Sequence, residues 1–193
     1  MIRIGVTGGI GSGKSVVSSL LQIYGIPVYS ADLESKKLAT ASMNIRKQLT
    51  ALLGDSVYDS SGLDRKRMAS LIFNDPELLK KVNAIIHPEV AHHFNEWVNM
   101  QHTRWVILES AILFESGFNH QVNLSLLVYT PQEIRIERAI ERDKTVRTDV
   151  MQRIKNQQPD EEKKKYVDYI IYNDGKKALI PQIEDFYYYL SNR

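Results

Sequence analysis

The feature that most constrains the fold of this 193-residue chain is the glycine-rich run GGIGSGKS at residues 8–15. It matches the pattern G-x-x-x-x-G-K-[ST], whose backbone N–H groups wrap around nucleotide phosphates. Alternating apolar residues predict a short strand over residues 1–7, and Val16, Val17 and Leu20 recur at helical spacing behind the loop. A strand, a glycine loop and a helix in this order bring unpaired N–H groups and a helix dipole to one point. The sequence therefore predicts a phosphate-binding site at the start of that helix.

Individual roles within the loop follow from the chemistry of its residues. Lys14 carries a cation on a flexible stem, so we expect it to reach the β- and γ-phosphates of a nucleotide. The Ser15 hydroxyl at the helix start is expected to bind Mg²⁺. The residues expected to bind the nucleotide are Gly8, Gly9, Gly11, Ser12, Gly13, Lys14, Ser15 and Val16. The loop alone does not indicate which nucleotide binds, which acceptor is used, or whether hydrolysis or transfer follows.

The composition of the chain argues against several other classes of function. Hydrophobic residues make up 43% and charged residues 25% of the chain, as in ordinary globular proteins. A formal net charge of +2 is too small to indicate a nucleic-acid partner or a membrane surface. Because there is no cysteine, disulfides, thiolate metal sites and a cysteine nucleophile are excluded. With no signal-peptide pattern and no run of about 18 apolar residues, we expect a cytoplasmic protein without membrane contact.

Short apolar runs predict the strands of a parallel sheet that is buried on both faces. They lie at residues 1–7, 26–29, 105–108, 124–129 and 169–172. Because helical patterns separate these runs, the expected class is α/β with a doubly wound sheet of five strands. We expect a single domain, 1–193, with its core in residues 1–32, 101–130 and 166–193.

The interval between the second and third predicted strands, about seventy residues, is far longer than one crossover helix requires. Residues 33–100 have a mostly helical pattern, in which 33–53 is one predicted helix. Pro76 suits the first turn of a later helix, which His87 and Pro88 are expected to break. An insertion of this size is a natural lobe for a second substrate.

Acidic residues follow two of the predicted strands. Asp32 follows the second strand, where a carboxylate can accept the proton of an attacking hydroxyl or help to hold Mg²⁺ through water. It can equally be the N-cap of the next helix. Glu109 ends the third strand and can supply the acidic residue of a Walker B type position. Glu115, past an apolar turn, is interpreted as a solvated loop carboxylate.

Residues 131–165 form a charge-rich helical stretch in which Arg135, Arg138 and Arg142 share one helix face. These arginines can simply be a solvated face with ion pairs to neighbouring acidic residues. A nucleotide kinase, however, needs an arginine-bearing lid that covers the triphosphate and stabilises charge in the transition state. Arg138 and Arg142 are the first candidates for that role.

Several segments combine into an ordered set that is more specific than the loop alone. They are residues 5–15, Ser30-Ala31-Asp32, Ile85-Ile86-His87-Pro88, residues 112–115, residues 153–157 and residues 168–175. This set resembles the dephospho-CoA kinase family over nearly the whole chain. The resemblance implies a P-loop NTPase-type fold, in which the sheet carries a helical acceptor-binding insertion at 33–100 and a helical lid at 131–165.

The resemblance also implies an activity: transfer of the γ-phosphoryl group of ATP, with Mg²⁺, to the ribose 3′-hydroxyl of dephospho-CoA. It favours Asp32 as the base that faces the acceptor hydroxyl and as a metal ligand. Lys14, Arg138 and Arg142 would surround the transferring group, and His87 becomes a candidate contact of the acceptor. The expected partners are ATP and dephospho-CoA, without nucleic acid, and the expected state is a monomer or a small homo-oligomer.

At some positions the chain departs from the family's pattern. Ser30 replaces an aspartate, Asn83 a glutamate, Glu109 an aspartate and Ala111 a proline. Ser30 leaves Asp32 to act without a second carboxylate in that segment. None of these changes removes the loop lysine, the serine hydroxyl or the lid arginines.

Rival functions share the glycine loop. Another small P-loop kinase would act on a nucleoside monophosphate or a different hydroxyl. A P-loop module that uses ATP as a switch for a protein partner would bind nucleotide without acceptor-dependent release of ADP.

Overall fold

The computed structural model describes residues 1–60, 62–72 and 75–193. The strands in chain order are β1 Ile2–Thr7, β2 Val28–Ser30, β3 Tyr58–Asp59, β4 Gly62–Leu63, β5 Trp105–Glu109, β6 Leu124–Tyr129 and β7 Tyr169–Tyr172. The α-helices are α1 Lys14–Ile23, α2 Ala31–Ala41, α3 Met43–Leu53, α4 Arg65–Ile72, α5 Pro76–Asn99, α6 Gln132–Asp143, α7 Arg147–Lys155, α8 Asp160–Lys163 and α9 Leu179–Ser191. Short 3₁₀ turns lie at Asp55–Val57 and Phe118–Gln121. Within the described residues, no helix is long and apolar enough to cross a membrane.

The chain divides into two compact units, of which the first comprises Met1–Ser30 and Gln101–Arg193. This unit is built on a five-stranded sheet with the strand order β2-β5-β1-β6-β7. Every neighbouring pair of strands is parallel. The predicted α/β class with a five-stranded parallel sheet is therefore confirmed. Because β1 is the central strand, its carboxyl end opens at the middle of the sheet edge where α/β proteins bind ligands.

An apolar core packs α1 and α9 against this sheet. Its buried members are Ile4, Val6, Val17, Leu21, Ile26, Ile107, Leu124, Leu126, Val128, Ile171, Ile183, Phe186 and Leu190. Burying one aliphatic or aromatic side chain of this size contributes about 1.5–3 kcal/mol. The cluster therefore fixes both β1 and α1, and with them the two ends of the glycine loop.

The second unit, Ala31–Met100, is mainly helical. Both α2 and α3 pack against the long helix α5, and β3 pairs with β4 in an antiparallel arrangement. The buried residues of α5 are Val82, Ile86, Val90, Phe94 and Val98, which follow one another at intervals of four residues. This spacing gives the helix one apolar stripe from Val82 to Val98.

Two predictions for the helical unit are wrong in detail. The single helix expected over residues 33–53 is two helices, because Ser42 between them is the N-cap of α3 and its Oγ accepts the Ile45 N–H at 3.3 Å. The break expected at Pro88 is absent, since this proline lies inside the continuous helix α5. Proline removes one backbone hydrogen bond, but the apolar stripe continues across it, and the burial of that stripe offsets the loss.

Candidate active site

Residues 8–13 connect the central strand β1 to α1 and form the predicted phosphate loop. Gly11 and Gly13 have φ angles of 79° and 88°, a left-handed backbone that favours glycine. The loop closes on itself through the Ser12 N–H, which donates to the Gly9 carbonyl at 3.0 Å. Gly13 is the N-cap of α1 and has no side chain that could accept the N–H groups of the first turn. The helix start is thereby suited to an external acceptor such as a phosphate oxygen.

The Ser12 carbonyl oxygen anchors the loop to the ends of two other strands. Asn173, directly after β7, donates to it through Nδ2 at 2.8 Å. Thr130, directly after β6, places its Oγ1 3.0 Å from the same oxygen. A Cβ atom on Gly13 would collide with Asn173 Nδ2, so this hydrogen bond requires glycine at position 13. The loop conformation is thus fixed by residues that follow β6 and β7 as well as by β1.

Lys14 and Ser15 are the first residues of α1. The Ser15 hydroxyl donates a hydrogen bond to Glu109 Oε1 at 2.9 Å. Glu109 ends β5, the neighbour of β1 in the sheet, and is 7% exposed, while Lys14 is 8% exposed. A hydroxyl and a carboxylate are the hard oxygen ligands that Mg²⁺ prefers, so this pair fits the metal. Among the described residues no group of three or more His, Asp or Glu side chains could hold an ion.

A second set of side chains supports the loop from behind. Asp160 accepts the Gly9 N–H through both carboxylate oxygens, at 3.1 and 3.2 Å. Gln157 Oε1 accepts the Ile10 N–H at 3.0 Å. Arg135 Nε lies 3.6 Å from Asp160 Oδ2. We refer to Arg135, Gln157 and Asp160 as the loop brace.

Sequence reasoning did not find the loop brace, although one signal was available. The loop pattern does not require glycine at positions 9 and 11, yet glycine occupies both. A Cβ atom on Gly9 would collide with the Arg135 guanidinium, and one on Gly11 with the Arg135 carbonyl. Glycines that a pattern does not demand therefore indicate a close approach of other groups to the loop.

The three arginines of α6 that were predicted to share one helix face each bind a different partner. Arg135 is buried in the loop brace, whereas Arg138 donates through Nη1 to the Asn173 carbonyl at 3.0 Å. Arg142 donates to both carboxylate oxygens of Asp143, at 2.7 and 3.1 Å, and Arg153 joins the same carboxylate. The hydrogen bond from Arg142, assisted by Arg153, holds the pKa of Asp143 well below its usual range. Arg138 thus lies beside the loop anchor, and Arg142 in an exposed ion-pair cluster.

Glu115 lies exposed in a turn, as interpreted, but its carboxylate is paired and not only solvated. Its Oε1 lies 3.0 Å from Lys163 Nζ and accepts the Gln158 N–H at 2.7 Å. Lys163 is fully buried and also donates to the Ala111 carbonyl at 3.3 Å. A buried ammonium group needs a paired carboxylate, and Glu115 is that partner.

Asp32 and His87 belong to the helical unit. Asp32 is the second residue of α2 and lies in its first turn, so the alternative that made it the N-cap is wrong by position. His87 lies near the middle of α5 and is half-buried, and burial lowers its pKa. This imidazole is therefore neutral at pH 7.

The sheet order, the glycine loop after the central strand and the lysine and serine that begin α1 define a P-loop NTPase-type fold. Shikimate kinase from Acinetobacter baumannii shares this fold, with a TM-score of 0.56 at 16% identity over 100% of this chain and 95% of that chain. Dephospho-CoA kinase from Campylobacter jejuni shares it with a TM-score of 0.67 at 24% identity, over 98% and 95% of the chains. A crystal structure from Thermus thermophilus is more similar, with a TM-score of 0.84 at 34% identity over 99% of this chain and 97% of that one.

Sequence comparison identifies the particular kinase family. The model of the dephospho-CoA kinase family matches residues 2–178. Dephospho-CoA kinase from Bacteroides fragilis is 47% identical over 183 residues, which are 94% of this chain and 89% of the relative. The enzyme of that name from Porphyromonas gingivalis is 42% identical over 184 residues, 95% and 91% of the two chains. The chain belongs to the dephospho-CoA kinase family, as its sequence segments predicted, and is an ATP-using phosphotransferase.

Proposed function

We propose that this chain transfers the γ-phosphoryl group of ATP to the ribose 3′-hydroxyl of dephospho-CoA, the final step of coenzyme A biosynthesis. In this reaction the 3′-oxygen attacks the γ-phosphorus in line, the bond from that phosphorus to the β–γ bridging oxygen breaks, and ADP leaves. Such a transfer depends mainly on positioning and electrostatic stabilisation. The observation that carries the proposal is the glycine loop, found in a chain of the dephospho-CoA kinase family. In this loop Lys14 directly precedes Ser15, whose hydroxyl donates a hydrogen bond to Glu109.

Residues of the glycine loop act on the donor in this proposal. Backbone N–H groups of the glycine loop other than those of Gly9, Ile10 and Ser12, together with the first turn of α1, bind the phosphates, and Lys14 neutralises charge on the β- and γ-phosphates. Arg138 and Arg142 on α6 cover the transferring group and stabilise the charge that develops there. The hydrogen bond of Arg138 to the Asn173 carbonyl supports this role for Arg138, because Asn173 also binds the loop at Ser12.

Asp32 accepts the proton of the 3′-hydroxyl, and His87 contacts the acceptor. The position of Asp32 supports its role, because it follows β2 by two residues in a segment that resembles the family's own. The neutral state of His87 suits a hydrogen bond to a polar group of the acceptor, since a neutral imidazole both donates and accepts. Both roles come from the resemblance, and the Asp32→Asn variant described below tests the first of them.

Mg²⁺ is the metal that this site suits. Ser15 Oγ and the Glu109 carboxylate are its candidate ligands, together with Asp32 through water. When bound, Mg²⁺ would neutralise negative charge on the β- and γ-phosphates. Glu109 is thus a third candidate ligand beside Ser15 and Asp32, the two that the sequence predicts.

The decisive experiment measures ADP release with ATP and a panel of acceptors: dephospho-CoA, adenosine monophosphate and shikimate. We expect kcat/KM to be at least about a hundredfold higher for dephospho-CoA. A higher value for another acceptor would indicate a different small P-loop kinase. Nucleotide binding without any acceptor-dependent ADP release would instead support a switch module that acts on a protein partner.

Two variants separate the assigned roles. Lys14→Ala is expected to abolish transfer, because Lys14 is the one cationic residue in the sequence of the glycine loop, residues 8–15. Asp32→Asn is expected to lower kcat by about 10²–10⁴-fold while ATP affinity stays near the wild-type value, since a general base contributes about that factor. Retained turnover in the first variant, or an unchanged kcat in the second, would contradict the corresponding role.

We further propose the cytoplasm as the location of the protein and a monomer or small homo-oligomer as its state. The lack of cysteine in the chain supports the first proposal, since a reducing compartment offers no use for disulfides. Sedimentation of the purified protein tests the second, and a large assembly would overturn it.

A further inference from the structure

The loop brace connects the phosphate loop to residues much further along the chain. The hydrogen bonds from Gly9 N–H to Asp160 and from Ile10 N–H to Gln157 join residues 151 and 147 positions apart. Asp160 and Arg135 are 4% and 5% exposed, so water competes little for these contacts. The two accepting groups therefore hold the backbone of residues 9 and 10 in place.

The charge of Asp160 is unusual at this place. A carboxylate beside a loop that binds a triphosphate repels the ligand unless a cation neutralises it. Arg135 provides that cation at 3.6 Å, and its guanidinium reaches Asp160 because residue 9 has no Cβ. A neutral residue could also accept the Gly9 N–H, but a carboxylate accepts it and in addition forms a charge-assisted pair with an arginine.

We propose that Arg135, Gln157 and Asp160 are positioning residues that hold residues 9–11 of the phosphate loop in the conformation that binds ATP. They act through the loop backbone and do not touch the reacting atoms. The proposal rests on the proposed kinase function for its kinetic test, and a binding test separates the two.

Variants of Asp160 give the first test. Asp160→Ala removes both acceptors of the Gly9 N–H, and kcat/KM for ATP is expected to fall by about ten- to a hundredfold. KM for dephospho-CoA should stay within about twofold of the wild-type value, because the brace contacts only the donor loop. Asp160→Asn keeps one acceptor oxygen and should recover part of the loss. Equal changes in KM for both substrates would overturn the proposal.

A double variant distinguishes positioning from stability. Replacing both members of a buried ion pair by apolar residues avoids an unpaired charge, so Arg135→Met combined with Asp160→Leu should unfold at a higher Tm than Asp160→Ala, which leaves Arg135 without its partner. The Gly9 N–H would still lack its acceptor, and kcat/KM for ATP should stay as low as in Asp160→Ala. Recovery of activity together with Tm would show that the pair is only structural.

Arg147→Met is the matched control, because Arg147 also lies on a helix of the 131–165 stretch and pairs with a carboxylate. Its partner Glu133 is 2.8 Å away, and both side chains are exposed. We expect wild-type kinetics for this variant. A loss as large as that of Asp160→Ala would show that breaking any ion pair in this stretch has the same effect, and would overturn the proposal.

Calorimetric titration with a non-hydrolysable ATP analogue tests the brace without the acceptor. Asp160→Ala should bind the analogue about tenfold more weakly than the wild type, and Gln157→Ala about fivefold more weakly, since one neutral hydrogen bond is lost. Equal affinities in wild type and Asp160→Ala would refute the brace. A wild-type protein that binds the analogue but does not phosphorylate dephospho-CoA would refute the proposed function alone.

Discussion

Replacing Glu115 with glutamine would leave the Lys163 ammonium group buried beside a neutral amide. Breaking a buried ion pair by removing one partner costs about 3–5 kcal/mol. Here the Glu115 side chain is 22% exposed and Lys163 is fully buried. Lys163 also keeps its hydrogen bond to the Ala111 carbonyl at 3.3 Å. Partial access of water and this remaining acceptor lower the expected cost to about 2–3 kcal/mol.

Thermal unfolding followed by circular dichroism measures this cost. For a chain of this size, each kcal/mol corresponds to about 2–4 °C in Tm, so Glu115→Gln is expected to unfold about 4–12 °C below the wild type. Glu162→Gln is the matched control, because its ion pair with Lys165 at 3.1 Å is exposed on both sides. That variant should lose less than about 0.5 kcal/mol. If the two variants unfold at the same temperature, the reasoning about Lys163 is refuted.

Other predictions concern the metal and the dependence on pH. Glu109→Gln should raise the Mg²⁺ concentration for half-maximal activity by about tenfold, measured by metal titration, and an unchanged value would exclude Glu109 from the metal site. Burial lowers the pKa of His87, so the unfolded chain binds the proton more readily and stability should fall as pH drops below about 6.5. Urea unfolding between about pH 7 and pH 5 should show a smaller loss for His87→Gln, and equal slopes would refute this. The pKa of Asp143 is also lowered, so its contribution is complete above about pH 3.9 and is lost as pH falls further. Asp143→Asn should reduce that acid loss by less than about 1 kcal/mol, and a stability profile identical to the wild type would contradict the ion-pair cluster.

Local patterns in the sequence were sufficient for the sheet and for the loop. Apolar runs such as Leu124–Tyr129 bury both faces of a strand, and this requirement is visible in a few consecutive residues. The glycine loop is likewise encoded in consecutive residues. The helix boundaries were harder to predict, because Ser42 acts as an N-cap only when Ile45 is helical. Pro88 stays inside α5 because burial of the stripe across it compensates for its cost.

Partners that are distant in the sequence were not predictable. Glu115 looks like any surface glutamate until the fold brings Lys163 to within 3.0 Å. Asp160 lies in an acidic run, and nothing near it in the sequence indicates a contact with Gly9, 151 residues earlier. Glycine at positions 9 and 11 indicates that another group packs closely against the loop, but it does not indicate which group. Such pairings depend on the order of the strands, which the sequence pattern does not specify.

The anchoring of Ser12 by Thr130 and Asn173 has a consequence for synthesis of the chain. These contacts span 118 and 161 positions, so they form only after most of the chain exists. A growing chain exposes its glycine loop first, but we expect the loop to lack a fixed conformation until β6 and β7 have joined the sheet, because contacts of such long range are slow to form. The nascent chain on the ribosome should therefore not sequester ATP. We therefore expect nucleotide binding to begin only after β7, Asn173 and α9 have joined the fold, which would make it a reporter of completed folding.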